Sequence, residues 1–277
     1  MDHSKSKCSG TGWRRTAWAG WALALAACVW LTPDAASADS QAPADSQAPA
    51  AENAGAEGQA AAPEVHEADA VLVGSSSFNQ SFGHIIEREL ARRGYGVVRK
   101  GVSGAGLARP DFRDMNQVLE TLPIGPSTSA VFVYIGVNDA QAVWLYPHER
   151  GESGQAAVPF GVADWDRVYT RRTREFLDRI CQRGARRAVV ILPVDVELPD
   201  MQRRLDRVRA LQIRAAASTS CAVVVSTAGD EGHFEAGGTP KRLPDGFHMS
   251  PRGAQIVWGR IEPRVTQLLE TVTVAAR

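Results

Sequence analysis

The chain alternates short apolar runs with longer amphipathic stretches from about residue 65 onward. The apolar runs are rich in valine and bounded by Gly, Pro or polar residues, at 70–74, 96–100, 130–135, 188–192 and 222–225. Such short runs are typical of strands buried on both faces of a parallel sheet. Between them, apolar residues recur at helical spacing over 83–93, 165–180, 201–217 and 251–269. This alternation predicts an α/β fold whose central parallel sheet of about five strands is flanked by helices.

The first 38 residues have the order of a secretory signal peptide. Basic residues precede an apolar run over 16–31, and Ala-Ser-Ala at 36–38 offers a small-residue cleavage site. Leu-Ala-Ala-Cys at 25–28 also resembles a lipobox, in which Cys28 would become a lipidated N-terminus. A retained anchor is the third alternative. We therefore expect an exported protein of the periplasm or cell envelope, with a possible membrane tether through its N-terminus.

Residues 39–65 are dominated by Ala, Pro, Gln and Glu and contain the repeated segment Asp-Ser-Gln-Ala-Pro-Ala. This composition predicts a disordered linker, because it cannot bury enough apolar surface to offset the entropy of ordering. Residues 66–277 are then expected to form the catalytic domain. Lys plus Arg number 31, as do Asp plus Glu, so the net charge is zero and predicts no nucleic-acid partner. The oligomeric state stays open.

Four segments with reactive or turn-forming residues follow the predicted strands or precede the last helix. They are residues 74–79, 101–107, 136–139 and 245–248. Ligands of open α/β sheets bind beyond the carboxyl ends of the strands, so we expect the four segments to meet there. Each segment alone is an ordinary turn signal. Their joint occurrence at strand ends favours a catalytic site.

The residue types in these segments suit nucleophilic catalysis. Ser76 comes two residues after Gly74, where a tight turn from strand to helix would expose its hydroxyl. A serine hydroxyl needs a general base, and His248 is the candidate. Asp245, three residues earlier, could hold the other imidazole nitrogen. We predict Ser76, His248 and Asp245 as a catalytic triad.

From about residue 69 to 269 the four segments resemble, in their chain order, the four sequence blocks of the SGNH (GDSL-like) hydrolase superfamily. The branch it most resembles is the bacterial domain of unknown function family 459, judged by residues 106–111 and 136–141. The resemblance implies a three-layer, flavodoxin-like fold and ester hydrolysis that needs no metal and no cofactor. One departure is Ser75, which stands where the superfamily usually has Asp in Gly-Asp-Ser.

The resemblance also implies an oxyanion hole, which stabilises the charge of a tetrahedral intermediate. Its donors would be the N–H of Ser76, a backbone N–H from a glycine of the second block and the side chain of Asn138. Two glycines, Gly104 and Gly106, fit the second-block position, and both are carried as candidates.

Three further residues are candidates for binding substrate. Arg109 and Asp111 follow the second block, where they could contact substrate or form a local ion pair that holds the loop. Trp144 could stack on a sugar or pack in the core. Cys181 and Cys221 are predicted to form a disulfide at the end of the sheet opposite the site.

The function predicted from these features is that of an exported serine esterase. Its substrate would be a small-molecule or glycan ester, with O-acetyl groups of an envelope glycan as the leading class. The same triad could instead transfer an acetyl group to an envelope polysaccharide. A non-catalytic glycan-binding module of the same fold is the third alternative, favoured only by Ser75.

Overall fold

The computed structural model of the chain describes residues 67–151, 154–227 and 241–274. The predicted signal peptide, its alternative at Cys28 and the predicted linker lie outside the described residues. Among the helices of this part of the chain, none is both long and apolar enough to cross a membrane. The elements, in chain order, are β1 Ala70–Gly74, α1 Ser76–Asn79, α2 Ser81–Arg92, β2 Val97–Gly101, α3 Met115–Glu120, β3 Ala130–Tyr134, β4 Val143–Trp144, β5 Ala157–Val158, α4 Ala163–Gln182, β6 Ala188–Ile191, α5 Pro199–Ala217, β7 Ala222–Val225 and α6 Pro251–Val274.

Five strands form one parallel sheet in the order β2-β1-β3-β6-β7. If the five strands of this sheet alone are numbered 1 to 5 along the chain, the order is 2-1-3-4-5, as in flavodoxin-like folds. The predicted fold class is therefore confirmed. Gly74, the last residue of β1, pairs with Gly101 of β2 and with Tyr134 of β3, so the carboxyl ends of these three strands are aligned.

The two faces of the sheet are covered by different helices, because successive side chains of a strand point to opposite faces. Val71 and Val73 of β1 belong to the core that includes residues of α3, α4 and α5. Leu72 belongs to the second core, with residues of α2 and α6. The molecule thus has three layers, with the sheet between two layers of helices.

The five predicted strands and four predicted helices are all present, with ends that differ by a few residues. Ser250 accepts a hydrogen bond from the Gly253 N–H at 3.0 Å and so caps the start of α6, where Pro251 occupies the first turn. The helix expected directly after Gly74 is the short α1, whereas α3 and the antiparallel pair β4–β5 were not predicted. Elements of two to six residues are too short to show a period in the sequence.

A disulfide joins Cys181 and Cys221, with their Cα atoms 5.8 Å apart, so the predicted pairing is confirmed. Cys181 lies in the last turn of α4, and Cys221 immediately precedes β7. The Cys221 carbonyl accepts a hydrogen bond from the N–H of Ala188, the first residue of β6, at 3.0 Å. The bond therefore lies at the amino ends of β6 and β7, opposite the strand ends that Gly74 marks.

Replacing both cysteines by serine should destabilise the folded state without changing its structure. The bond closes a loop of 40 residues, and cross-links of that length contribute about 2–4 kcal/mol by restricting the unfolded chain. Urea unfolding would measure the loss. Reduction of the wild type should lower its midpoint by a similar amount and leave the double variant unaffected. Equal midpoints for oxidised wild type and double variant would contradict the prediction.

Candidate active site

Ser76 is the first residue of α1 and follows the turn that ends β1. Gly74 permits this turn, because a Cβ at that position would lie 2.2 Å from the carbonyl oxygen of Tyr134. The same carbonyl accepts a hydrogen bond from the Ser75 N–H at 2.9 Å. This hydrogen bond holds the end of β1 against β3. Helix α1 therefore begins directly above the carboxyl edge of the sheet.

The three adjacent serines have different environments. Ser75 and Ser77 are buried. Ser76 is half-buried, and its Oγ lies 2.7 Å from Nε2 of His248. Of the three hydroxyls, that of Ser76 is in hydrogen-bonding contact with the predicted base.

His248 and Asp245 come from the loop that precedes α6. Asp245 Oδ1 accepts hydrogen bonds from the N–H groups of Phe247, at 2.8 Å, and His248, at 2.9 Å. Its other oxygen, Oδ2, lies 2.7 Å from Nδ1 of His248. The backbone of the turn therefore holds the Asp245 carboxylate in position, and the carboxylate orients the His248 imidazole. The structure brings Ser76, His248 and Asp245 together in one chain of contacts.

The direction of these hydrogen bonds follows from which groups can donate. An ionised carboxylate only accepts, so Nδ1 of His248 must carry the proton that Asp245 binds. In the neutral imidazole Nε2 then has a free lone pair, which accepts the hydroxyl proton of Ser76. This is the arrangement in which a serine can lose its proton to a base.

Asp245 is held in its ionised form. Its partial burial raises the pKa, but the hydrogen bonds from the His248 side chain and from the N–H groups of His248 and Phe247 outweigh that effect and lower the pKa to about 2. The side chain is 44% exposed, so these hydrogen bonds rather than a dry environment keep the carboxylate charged.

The predicted oxyanion donors lie around the same hydroxyl. Asn138 and Gly104 line a cavity that Ser76 and His248 also line. Asn138 Nδ2 donates one hydrogen bond to the Ala105 carbonyl at 2.9 Å, which orients the amide and leaves its second N–H for another acceptor. The N–H of Ser76, at the first position of a helix, has no intrahelical acceptor.

The structure separates the two candidate glycines. Gly104 lines the cavity, whereas Gly106 is buried behind it. A Cβ at Gly106 would lie 2.3 Å from Oδ1 of Asp139, so this glycine is required for close packing against that carboxylate. Gly104 fits the general superfamily pattern and Gly106 that of the closer branch; of the two, Gly104 is the one that lines the cavity.

Asp139 supports the site from beneath, a role that the sequence analysis did not assign. The side chain is fully buried, with Oδ1 accepting from the Ala108 N–H at 2.8 Å and Oδ2 from the Tyr169 hydroxyl at 3.0 Å. Gln212 donates to the Tyr169 oxygen at 3.1 Å. Burial raises the pKa of Asp139 to about 6, against the opposing effect of these hydrogen bonds and of the Arg172 charge.

The cavity above Ser76 has a volume of about 560 Å³ and is open to solvent. Most of its polar groups are hydroxyls and amides. Its lining comprises Ser75, Ser76, Ser77, Gln80, Ser103, Gly104, Val137, Asn138, Ala140, Gln141, Met201, Arg204, Phe247 and His248. A site of this size accommodates considerably more than an acetyl group.

The three residues predicted to bind substrate lie outside that lining. Arg109 forms a two-pronged ion pair with Asp111, with both N–O distances 2.8 Å, and its guanidinium lies 5.1 Å from the centre of the Trp144 ring. Trp144 is partly exposed, at the start of the insertion that follows β3. Arg109 reaches towards Gln141, at 3.5 Å, so the cluster lies next to the cavity wall.

A buried ion pair anchors that insertion. Arg172 of α4 is 5% exposed and pairs with Glu149. It also donates to the carbonyls of Leu107, at 2.9 Å, and Trp144, at 2.7 Å, and so ties the second block to the insertion. Burial alone would raise the pKa of Glu149, but hydrogen bonds from Arg172 and the Tyr146 N–H lower it. Arg172 occupies an ordinary helical position, so no sequence signal marked it.

Within 67–151, 154–227 and 241–274, no three His, Cys, Asp or Glu side chains are grouped so that they could hold a metal ion.

Comparison with known families identifies the chain. The family described as "Protein of unknown function (DUF459)" matches residues 70–264, which includes all four site segments. The chain belongs to the DUF459 family. The predicted branch is therefore confirmed. No curated protein matches the chain.

Solved structures similar to this DUF459 chain include a variant of an acetyl-xylooligosaccharide esterase from Geobacillus stearothermophilus, with 17% identity, a TM-score of 0.49, and coverage of 70% of this chain and 92% of that one. A lipase/acylhydrolase from Enterococcus faecalis has 15% identity, a TM-score of 0.48, and coverage of 70% and 95%. A carbohydrate esterase family 3 structure from Talaromyces cellulolyticus has 16% identity, a TM-score of 0.47, and coverage of 73% and 98%.

Asp139→Asn should change how stability depends on pH. The folded pKa of Asp139, about 6, lies above its ordinary value of 3.8, so folding favours the protonated form. Its contribution is complete below about pH 4 and is lost as pH rises through 6. The unfolding free energy of the wild type, measured relative to the isosteric Asn variant, should therefore fall by about 2–3 kcal/mol between pH 4 and pH 7.

Asp178→Asn is the matched control, because the Asp178 side chain on α4 is 40% exposed and lacks the burial that acts on Asp139. Urea unfolding of the three proteins at a series of pH values makes the comparison. A difference between wild type and Asp139→Asn that is constant from pH 4 to pH 7 would mean that Asp139 is ionised throughout.

Proposed function

We propose that this DUF459 protein is a serine esterase that removes acyl groups, with O-acetyl groups of an envelope glycan as the leading substrate class. One observation carries the proposal. Ser76 Oγ, the His248 imidazole and the Asp245 carboxylate form a continuous relay with two contacts of 2.7 Å, and the serine end opens into a cavity. This is the geometry that activates a serine nucleophile.

In the acylation step, Ser76 Oγ attacks the acyl carbon of the ester while its proton passes to Nε2 of His248. The carbonyl oxygen becomes an oxyanion, for which the N–H groups of Ser76, Gly104 and Asn138 are the proposed donors. Asp245 stays ionised and stabilises the imidazolium. The intermediate then collapses, the bond to the leaving alcohol breaks, and His248 returns its proton to the alcohol oxygen.

In the second step the acyl group leaves Ser76. Water attacks the acyl carbon while His248 takes one of its protons, the acid departs, and the proton returns to Ser76 Oγ. A sugar hydroxyl in the position of the water would make the same enzyme a transferase. The open mouth of the cavity supports hydrolysis as the principal reaction, because bulk water reaches the acyl-enzyme.

The relay also weighs against a non-catalytic binding module. Binding a glycan requires no base in contact with a serine hydroxyl and no carboxylate behind that base. The departure at Ser75 does not interrupt the relay, because Ser75 is buried and its N–H is bonded to Tyr134. The predicted export signal, if used, would place the substrate outside the cytoplasm.

Ser76→Ala should abolish ester cleavage and leave the fold intact. Loss of a nucleophile in a serine hydrolase lowers kcat by about 10⁴–10⁶. Initial rates with p-nitrophenyl acetate and with acetylated glycans would measure the loss, and circular dichroism would verify the fold. Ser77→Ala is the neighbouring control and should retain most of the activity. Activity that survives in Ser76→Ala but is lost in Ser75→Ala or Ser77→Ala would reassign the nucleophile.

Asp245→Asn should lower kcat by about 10²–10⁴, because an amide cannot stabilise the imidazolium as a carboxylate does. Because the pKa of Asp245 is about 2, the wild-type carboxylate is ionised at every pH above about 4. The loss should therefore be measured at pH 8, where it reflects the missing carboxylate charge. Activity of the variant within tenfold of the wild type would show that Asp245 does not support the base.

A further inference from the structure

The cavity at Ser76 contains one permanently charged side chain among its described lining residues, and that charge is positive. It belongs to Arg204 of α5. Apart from His248, the other polar lining residues carry hydroxyl, amide or backbone groups. A lone positive charge in a cavity attracts anions, since no neighbouring carboxylate of the lining neutralises its field.

Arg204 is held in position from two sides. Its Nη1 donates to the Ala140 carbonyl at 3.0 Å, directly after the loop that carries Asn138. Its guanidinium also lies 5.2 Å from the centre of the Phe160 ring, a cation–π contact. A guanidinium has five N–H donors, so most of them remain for a ligand after the bond to Ala140.

Three neighbouring arginines of α5, in contrast, form ion pairs. Arg203 pairs with Asp200, Arg207 with Asp166 at 2.7 Å, and Arg209 with Asp195 at 2.6 Å. Within the described parts of the chain, no carboxylate lies within ion-pairing distance of Arg204, although Asp200 borders a second, outer cavity with it. Of these four arginines, Arg204 is the one that lines the cavity of Ser76 and the one without an acidic partner among the described residues.

We propose that the ester substrate carries an anionic group, a carboxylate or a phosphate, that binds Arg204 while the acyl carbon is at Ser76. This inference rests on the proposed esterase function and narrows its substrate class to acidic esters. Arginine binds such groups through two parallel hydrogen bonds, which gives geometric selectivity as well as attraction. The anionic group lies either on the acyl chain or on the leaving alcohol.

Two pairs of aryl esters distinguish these positions. The acyl-side pair is the 4-nitrophenyl hemiester of succinic acid and its methyl ester. The alcohol-side pair is 4-carboxyphenyl acetate and its methyl ester. Within each pair the shape is nearly constant and only the charge is removed. For the pair whose anionic group reaches Arg204, Arg204→Gln should lower kcat/KM for the anionic ester about tenfold, mainly through KM, and leave the neutral ester within about twofold.

Arg203→Gln is the matched control, because it removes an arginine of the same helix that does not line the cavity; it should behave as the wild type with all four esters. Arg204→Lys should restore part of the preference, and added salt should weaken it. An equal loss on neutral and anionic esters would assign Arg204 to holding the Ala140 loop and overturn the inference. A change in kcat/KM below twofold on all four esters would also overturn the inference.

If the protein is not a serine esterase, the experiment gives a different result. The wild type then does not cleave neutral aryl acetates, or Ser76→Ala cleaves them equally well. If the wild type cleaves the neutral esters through Ser76 and Arg204→Gln shows no charge-dependent loss, the esterase proposal stands and the acidic substrate class is wrong.

Discussion

The parallel register of β1 with its two neighbours determines where the chemistry of this protein can lie. Gly74 pairs with both Gly101 and Tyr134, so three strands end at one level. The segments that follow them must then turn above the same edge of the sheet. The Val102 N–H donates to the Gly74 carbonyl at 2.9 Å, which continues this alignment one residue beyond β2. Residues far apart in the chain, Ser76 and Asn138 among them, become neighbours as a result.

The loops above that edge need support from below, and buried polar groups provide it. Asp139 binds the Ala108 N–H, and through Tyr169 it connects to Gln212 of α5. Arg172 connects Leu107 to the insertion after β3 in the same way. These bonds cross between elements that share no sheet pairing, so they fix loop positions that strand register alone leaves free. An unpaired polar group at such depth is costly, and one remains in the first of these networks, since Gln212 Oε1 is buried with no hydrogen-bond partner among the described residues.

The parts of the protein that the sequence predicted are those with local signals. Valine-rich runs revealed the strands, amphipathic stretches the long helices, and the spacing of Asp245 and His248 the turn that joins them. Asp139, Arg172 and Arg204 were not assigned roles, because their contacts join residues 23 to 65 positions apart in the chain. The choice between Gly104 and Gly106 was open for the same reason: it depends on whether a glycine faces the cavity or the Asp139 carboxylate, which only the folded arrangement determines.

Two aspartates near the site have pKa values shifted in opposite directions. Asp245 is nearly half exposed, and three N–H donors around it lower its pKa to about 2. Asp139 is fully buried, and loss of solvation raises its pKa to about 6. The negative charge that orients His248 is therefore independent of pH over the range in which a serine hydrolase works. The carboxylate beneath the loops can instead take up a proton near pH 6 without any change at Asp245.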